Sequence, residues 1–119
     1  MINKMDGCQI VPQPMGLVAI LGAWNYPIQL TLVPLVGALS AGNSVVIKPS
    51  ELAPATAQLL ADTLPKYFPE GTVSVINGGV EETTVLLRSK FDKILYTGNG
   101  RVGKIILKVD LCFSLISIK

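Results

Sequence analysis

The sequence predicts an α/β fold, a parallel sheet of about four strands with helices wound on its faces. Three observations carry that reading. Short apolar runs rich in β-branched residues alternate with stretches of helical character, in the order strand, helix repeated four times. Glycine or proline marks every junction, so the connections are short. No charged residue occurs from Gly7 to Ile47, as suits strands covered on both faces and a helix lying between them.

Met1 to Gln13 is polar and irregular and ends in the Pro12-Gln13-Pro14 break. Gly16 to Gly22 is the first strand, bounded by glycines, and Trp24 to Pro27 forms the turn at its carboxyl end. Ile28 to Ala41 shows no polar face and is expected to be a mostly buried helix, with Pro34 as a kink and Gly42-Asn43 as its stop. Ser44 to Ile47 is the second strand and delivers Lys48 at its carboxyl end. Pro54 suits the first turn of a helix whose inward stripe is Thr56, Leu60, Thr63, Leu64 and Tyr67, ended by Pro69 and Gly71. Thr72 to Ile76 is the third strand and leads through Asn77-Gly78-Gly79 into a helix with Glu81 and Glu82 in its first turn, where the dipole favours acids. Phe91 to Thr97 is the fourth strand, followed by a glycine turn and a helix from about Arg101 to Lys108.

Composition excludes several function classes. The 119 residues suffice for one core, and half of them are hydrophobic while 15% are charged. A formal net charge of +2 with scattered lysines and arginines gives no basis for nucleic-acid binding. Histidine is absent and the two cysteines, Cys8 and Cys112, form no CxxC, so zinc sites and histidine-dependent triads or dyads are excluded within these residues, and no metal is expected. Pro27, Pro34, Asn25, Gln29 and Asn43 interrupt every membrane-length window of the charge-free run, so no membrane span is expected. The expected location is the cytoplasm.

In a parallel sheet of this kind, ligands bind outside the carboxyl ends of the strands. Four motifs fall there: Trp24-Asn25-Tyr26-Pro27, Lys48-Pro49-Ser50-Glu51, Asn77-Gly78-Gly79 and the run from Thr97 to Gly103. Gly98-Asn99-Gly100-Arg101-Val102-Gly103 matches G-x-G-x-x-G between a strand and a helix, which fits either a phosphate loop or a tight structural turn. Lys48 and Glu51 supply a donor and an acceptor three residues apart. They suit the two hydroxyls of a ribose, and equally a surface ion pair capping the next helix. The Asn25 amide is either a turn residue or a donor to a developing oxyanion. Cys112, between Leu111 and Phe113, reads as a buried inert thiol.

Taken together, the segments PMGLVAILGAWNYPIQL, LVGALSAGNSVVIKPSE, NGGVEETTVLL and FDKILYTG, in this order and spacing, resemble the aldehyde dehydrogenase superfamily, most closely its class 3, fatty and medium-chain branch. The resemblance runs from about Pro14 to Lys108. It implies a partial doubly wound, Rossmann-like domain that binds NAD or NADP, with residues 1–13 as an irregular lead-in and 109–119 as a tail outside the family pattern. By resemblance, Asn25 is the oxyanion-hole amide, while Trp24, Lys48 and Glu51 lie on the cofactor side, the last two at the adenosine ribose. Gly98, Asn99, Gly100 and Gly103 correspond to the family's G-S-T-x-x-G turn, whose helix faces the pyrophosphate.

The implied reaction is oxidation of an aldehyde substrate to an acid through a cysteine thiohemiacetal. Two departures qualify it. Asn99 and Gly100 stand where the family has serine and threonine. After Lys108 the sequence reads VDLCFSLISIK in place of the expected family segment, and neither Cys8 nor Cys112 lies in the family's nucleophile context. These residues are therefore expected to be a truncated piece, without the nucleophilic cysteine, the general-base glutamate and the elements through which the family forms homo-oligomers. The alternative is a nucleotide-binding remnant, or a module that pairs with full-length subunits. A truncated sheet is also expected to be poorly soluble alone, because it leaves an edge and a helix face uncovered.

Overall fold

The structure is a computed structural model that describes residues 9–110 and 117–118. In chain order its elements are β1 (Leu17–Leu21), α1 (Gln29–Ser40), β2 (Ser44–Lys48), α2 (Pro54–Thr63), β3 (Val73–Val75), α3 (Val80–Leu86), β4 (Lys93–Tyr96), α4 (Gly100–Asp110) and β5 (Ser117–Ile118). The strand and helix sequence follows the expected alternation, with boundaries moved by a residue or two. Lys48 is the last residue of β2 rather than the first of the following loop. The α2 helix tightens into a 3₁₀ turn over Leu64–Lys66, where Pro65 has no N–H to continue the ladder.

All strands are parallel, in the order β3-β2-β1-β4-β5. The chain winds outward from β1 to β3, then returns to the other flank of β1 for β4 and β5. The reversal of winding falls between β1 and β4, where Leu21 stands beside Tyr96. That junction is the topological switch point, at which the loops leaving the carboxyl ends diverge and leave a crevice. The four expected strands form this parallel sheet, and a two-residue strand, Ser117–Ile118, adds to its edge beside Leu95 and Tyr96.

Alternation along the strands builds two cores. On one face Val18, Ile20, Val45, Ile47 and Val73 pack with Leu35 and Ala38 of α1. On the other, Ala19, Leu21 and Ile94 pack with Leu86, Leu87, Phe91 and Ile106 from the α3 and α4 side. Two polar side chains lock the amino-terminal edge of β1. Asn43 Oδ1 accepts the N–H groups of Met15 at 2.6 Å and Gly16 at 3.0 Å, while its Nδ2 donates to Ala38 O at 2.9 Å. Asp92 Oδ2 accepts Leu17 N–H at 2.8 Å.

Two burial expectations are corrected. The α1 helix buries only Thr31, Leu35 and Ala38, one residue per turn, and leaves Val33 and Val36 64% and 67% exposed. Its lack of a polar face therefore reflects an uncovered apolar side, not burial all round. Pro34 lies inside α1 without ending it. Of the expected α2 stripe, Leu60 is buried and Leu64, beyond Thr63, packs partly buried against the core, but Ala57 is the other buried residue of α2 and Tyr67, after the 3₁₀ turn, is exposed. Cys8 and Cys112 lie outside the described residues.

Candidate functional site

A cleft of about 620 Å³ opens at the carboxyl ends of β1, β2 and β4, between these ends and the flanks of α3 and α4. Its lining brings together Trp24, Asn25, Lys48, Glu51, Gly98 and Asn99, which lie up to 75 positions apart in the sequence (99 − 24). A volume of this size lies within the range of small-molecule and cofactor sites. Val80, Thr83, Thr84, Val102 and Ile105 supply mostly apolar walls.

Lys48 is held by the sheet. Its carbonyl accepts Gly22 N–H at 2.9 Å, which ties the loop after β1 to the end of β2. Its side chain is 8% exposed and donates from Nζ to Glu51 Oε2 at 2.7 Å, while the Glu51 side chain is 46% exposed. Pro49 and the buried Ser50, whose Oγ accepts Leu52 N–H at 3.3 Å, shape the turn that brings the two together. The Lys48 hydrogen bond first, and then a backbone N–H, hold the Glu51 carboxyl below the ordinary carboxylate range. An ammonium has three donors. Glu51 takes one, no other hydrogen-bond partner of Nζ is found among the described residues, and the ammonium also acts electrostatically on Glu82.

Trp24, which lines the cleft, and Tyr26, which does not, are both exposed, so packing of aromatic rings at the top of the strand does not account for this motif. Asn25 is exposed, and its amide has no hydrogen-bond partner among the described residues. The turn is anchored beneath it instead. Thr31 Oγ1 donates to Pro27 O, and Leu30 N–H donates to Tyr26 O at 2.9 Å, so the start of α1 fixes the loop that carries Asn25.

Beyond β4, Asn99 caps α4. Its Oδ1 accepts Val102 N–H at 2.9 Å and its carbonyl accepts Gly103 N–H at 3.1 Å. The side chain that replaces the family's serine thus takes one donor of the helix start, that of Val102. Gly100 begins α4, and Gly103 is buried against the Tyr96 ring. Neither glycine lines the cleft, unlike Gly98 and Asn99. Tyr96 is the residue that sequence reasoning missed. It lines the cleft, its Oη donates to Asn99 O at 3.3 Å, and burial pushes its phenol pKa up. Nothing in its local pattern set it apart from other apolar strand residues.

A second hollow of about 560 Å³ lies between α1 and the open face of β4, lined by Val18, Ile20, Val33, Ala38 and Leu95 among others. It holds none of the charged motif residues. No helix among the described residues is long and apolar enough to cross a membrane, and no group of three or more acidic or cysteine side chains there could hold a metal ion.

The comparisons with known proteins agree with the geometry. The model of the aldehyde dehydrogenase family matches residues 2–111, a wider span than the motifs alone covered. The rat aldehyde dehydrogenase family 3 member A2 is 55% identical over 108 residues, which are 91% of this chain and 22% of that protein. The dog dimeric NADP-preferring aldehyde dehydrogenase is 53% identical over 105 residues, 88% of this chain and 23% of that protein. Among solved structures, substrate-bound AldH of Staphylococcus aureus superposes with a TM-score of 0.83 at 39% identity, over 87% of this chain and 23% of that one. Mycobacterium tuberculosis aldehyde dehydrogenase complexed with NAD+ gives 0.77 at 31% identity, over 88% and 23% respectively. The chain spans about a fifth of the length of the curated relatives it matches. With its sequence motifs, sheet order and family match in agreement, the chain belongs to the aldehyde dehydrogenase family, on its class 3 side.

Proposed function

We propose that these residues form the cofactor-side part of an NAD(P)-dependent aldehyde dehydrogenase domain, residues 14–108, and bind NAD or NADP in the cleft at the carboxyl ends of β1, β2 and β4. The single observation that carries this reading is the convergence of Trp24, Lys48, Glu51, Gly98 and Asn99 on one cleft at the switch point of the sheet. The residues fit the group chemically. The Lys48 and Glu51 pair offers a spare donor and an acceptor to a ribose diol, the α4 start offers first-turn N–H donors to an anion, and Val80, Val102 and Ile105 offer apolar cover to a flat base. When bound, the nicotinamide cofactor supplies the hydride acceptor for aldehyde oxidation.

Asn25 is assigned to the chemical side, where its unpartnered amide is free to donate to an oxyanion at the lip of the cleft. Gly100 and Gly103 act within α4, shaping the helix that presents the pyrophosphate donors. The 119 residues by themselves do not complete the oxidation, since the family's nucleophile and base contexts do not occur in this sequence. An aldehyde substrate follows from the same family reading; the location proposed with it is the cytoplasm. The uncovered Val33 and Val36 on α1 favour a second role, association with full-length subunits.

The test is titration of the chain with NAD and NADP while following the fluorescence of Trp24, its single tryptophan. Saturable change is expected. A flat response from protein shown to be folded by circular dichroism refutes the nucleotide reading, and turnover of hexanal with NAD refutes the claim of inactivity.

A further inference from the structure

We infer that Tyr96 is a positioning residue for the anion-facing turn of the cleft, holding Asn99 so that the first N–H groups of α4 stay aimed as a set. The inference deepens the nucleotide reading and rests on it for its ligand. The geometry centres on one residue. Asn99 O accepts both the Tyr96 phenol at 3.3 Å and Gly103 N–H at 3.1 Å, while Asn99 Oδ1 is committed to Val102 N–H at 2.9 Å. With Val102 and Gly103 engaged, the N–H groups of Gly100 and Arg101 are left without a protein partner among the described residues. Those are the donors that an anion at a helix start uses. The Gly100 N–H shares its planar peptide with the Asn99 carbonyl that the phenol tethers to the end of β4, and the Arg101 N–H follows from it through the helical backbone of Gly100.

The two outer glycines of the turn then have different reasons. A Cβ at Gly98 would lie 2.2 Å from the phenol oxygen and 2.5 Å from Cζ, so this position makes room for the tyrosine rather than for a phosphate. A Cβ at Gly103 would meet the ring at 3.6 Å, an ordinary contact. The formal G-x-G-x-x-G pattern is, at its first position, a tyrosine-packing requirement.

The test compares the 119-residue chain with Tyr96→Phe, which keeps the ring and removes only the hydroxyl. Amide hydrogen exchange at Val102 and Gly103 is expected to quicken by about threefold to tenfold, the range set by one ordinary hydrogen bond, with β1 and β2 unchanged. Affinities for NAD and for ADP are expected to fall by the same factor of about threefold to tenfold, while adenosine, which has no phosphate, binds both chains alike. Unchanged exchange, equal weakening of adenosine, or loss of protection across the whole sheet overturns the positioning role. If the native chain binds neither NAD nor ADP, the nucleotide reading fails on its own account and the exchange at Val102 and Gly103 still decides for or against the tether.

Discussion

Removing Glu51 should destabilise the chain more than removing Lys48, although the two form one ion pair. The asymmetry comes from exposure. The Lys48 side chain is 8% exposed and that of Glu51 is 46%, so Glu51→Ala strands an ammonium where water scarcely reaches, whereas Lys48→Met leaves a carboxylate that water can solvate. Breaking a fully buried pair costs about 3–5 kcal/mol and an exposed pair is worth under about 1 kcal/mol. A pair with one partner on each side of that divide places Glu51→Ala near about 2 kcal/mol, and Lys48→Met, which keeps the apolar stem, below about 1 kcal/mol. For a chain of 119 residues about 1 kcal/mol moves Tm by roughly 4 °C, so the two variants separate. Urea denaturation followed by far-ultraviolet circular dichroism at neutral pH provides the comparison.

The same pair has a pH signature with a definite sign. Because the folded carboxyl of Glu51 titrates below its ordinary value, its contribution is present above the ordinary carboxylate range and is lost as pH falls through the lowered folded value. The gap between native chain and Glu51→Ala should therefore close on acidification below about pH 4. A Lys48→Met variant at least as unstable as Glu51→Ala, or a gap that does not close in acid, refutes the reasoning.

Asn43→Ala removes two acceptances and one donation at a 7% exposed site, and should cost about 2–3 kcal/mol by denaturant melting. Asn43→Asp should recover part of that loss through its carboxylate oxygens. Asn25→Ala, by contrast, removes an exposed amide with no partner among the described residues and should stay within about 0.5 kcal/mol of the native chain in the same melt. A larger loss would show that Asn25 is a structural turn residue. Val33→Lys combined with Val36→Glu places charges on the uncovered side of α1 and should raise the soluble concentration, read by size-exclusion chromatography, with Tm unchanged. A fall in Tm would mean that this side packs against something within the chain.

The sheet was legible because its signals are local. Valine and isoleucine runs end at glycine or proline, and each run became a strand within two residues of its expected bounds. The grouping of the candidate residues was legible for a different reason, since each motif sits at a strand end and the fold gathers strand ends. Burial was less legible. An apolar stretch such as that of α1 states only that water is unfavourable, not which side of the helix has a partner, and Val33 and Val36 differ from Leu35 solely by the direction they face. Tyr96 escaped because its role depends on a bond to a residue three positions on, across a turn whose shape no periodicity encodes. Ser117–Ile118 escaped because two residues carry no period at all.

The central place of β1 also dictates an order of assembly. Its pairing with β2 is reached through α1 alone, but its other side is closed only by β4, and the Leu17 to Asp92 bond spans 75 residues. A chain emerging from the ribosome makes β1, β2 and β3 early and carries the open side of β1 until Lys93–Tyr96 is synthesised. During that interval Val18 to Leu21 present unpaired backbone groups to any neighbouring strand. The strand at the centre of the cleft is thus the one most exposed to mispairing while the chain is being made, and slow translation between β3 and β4 would prolong the exposure.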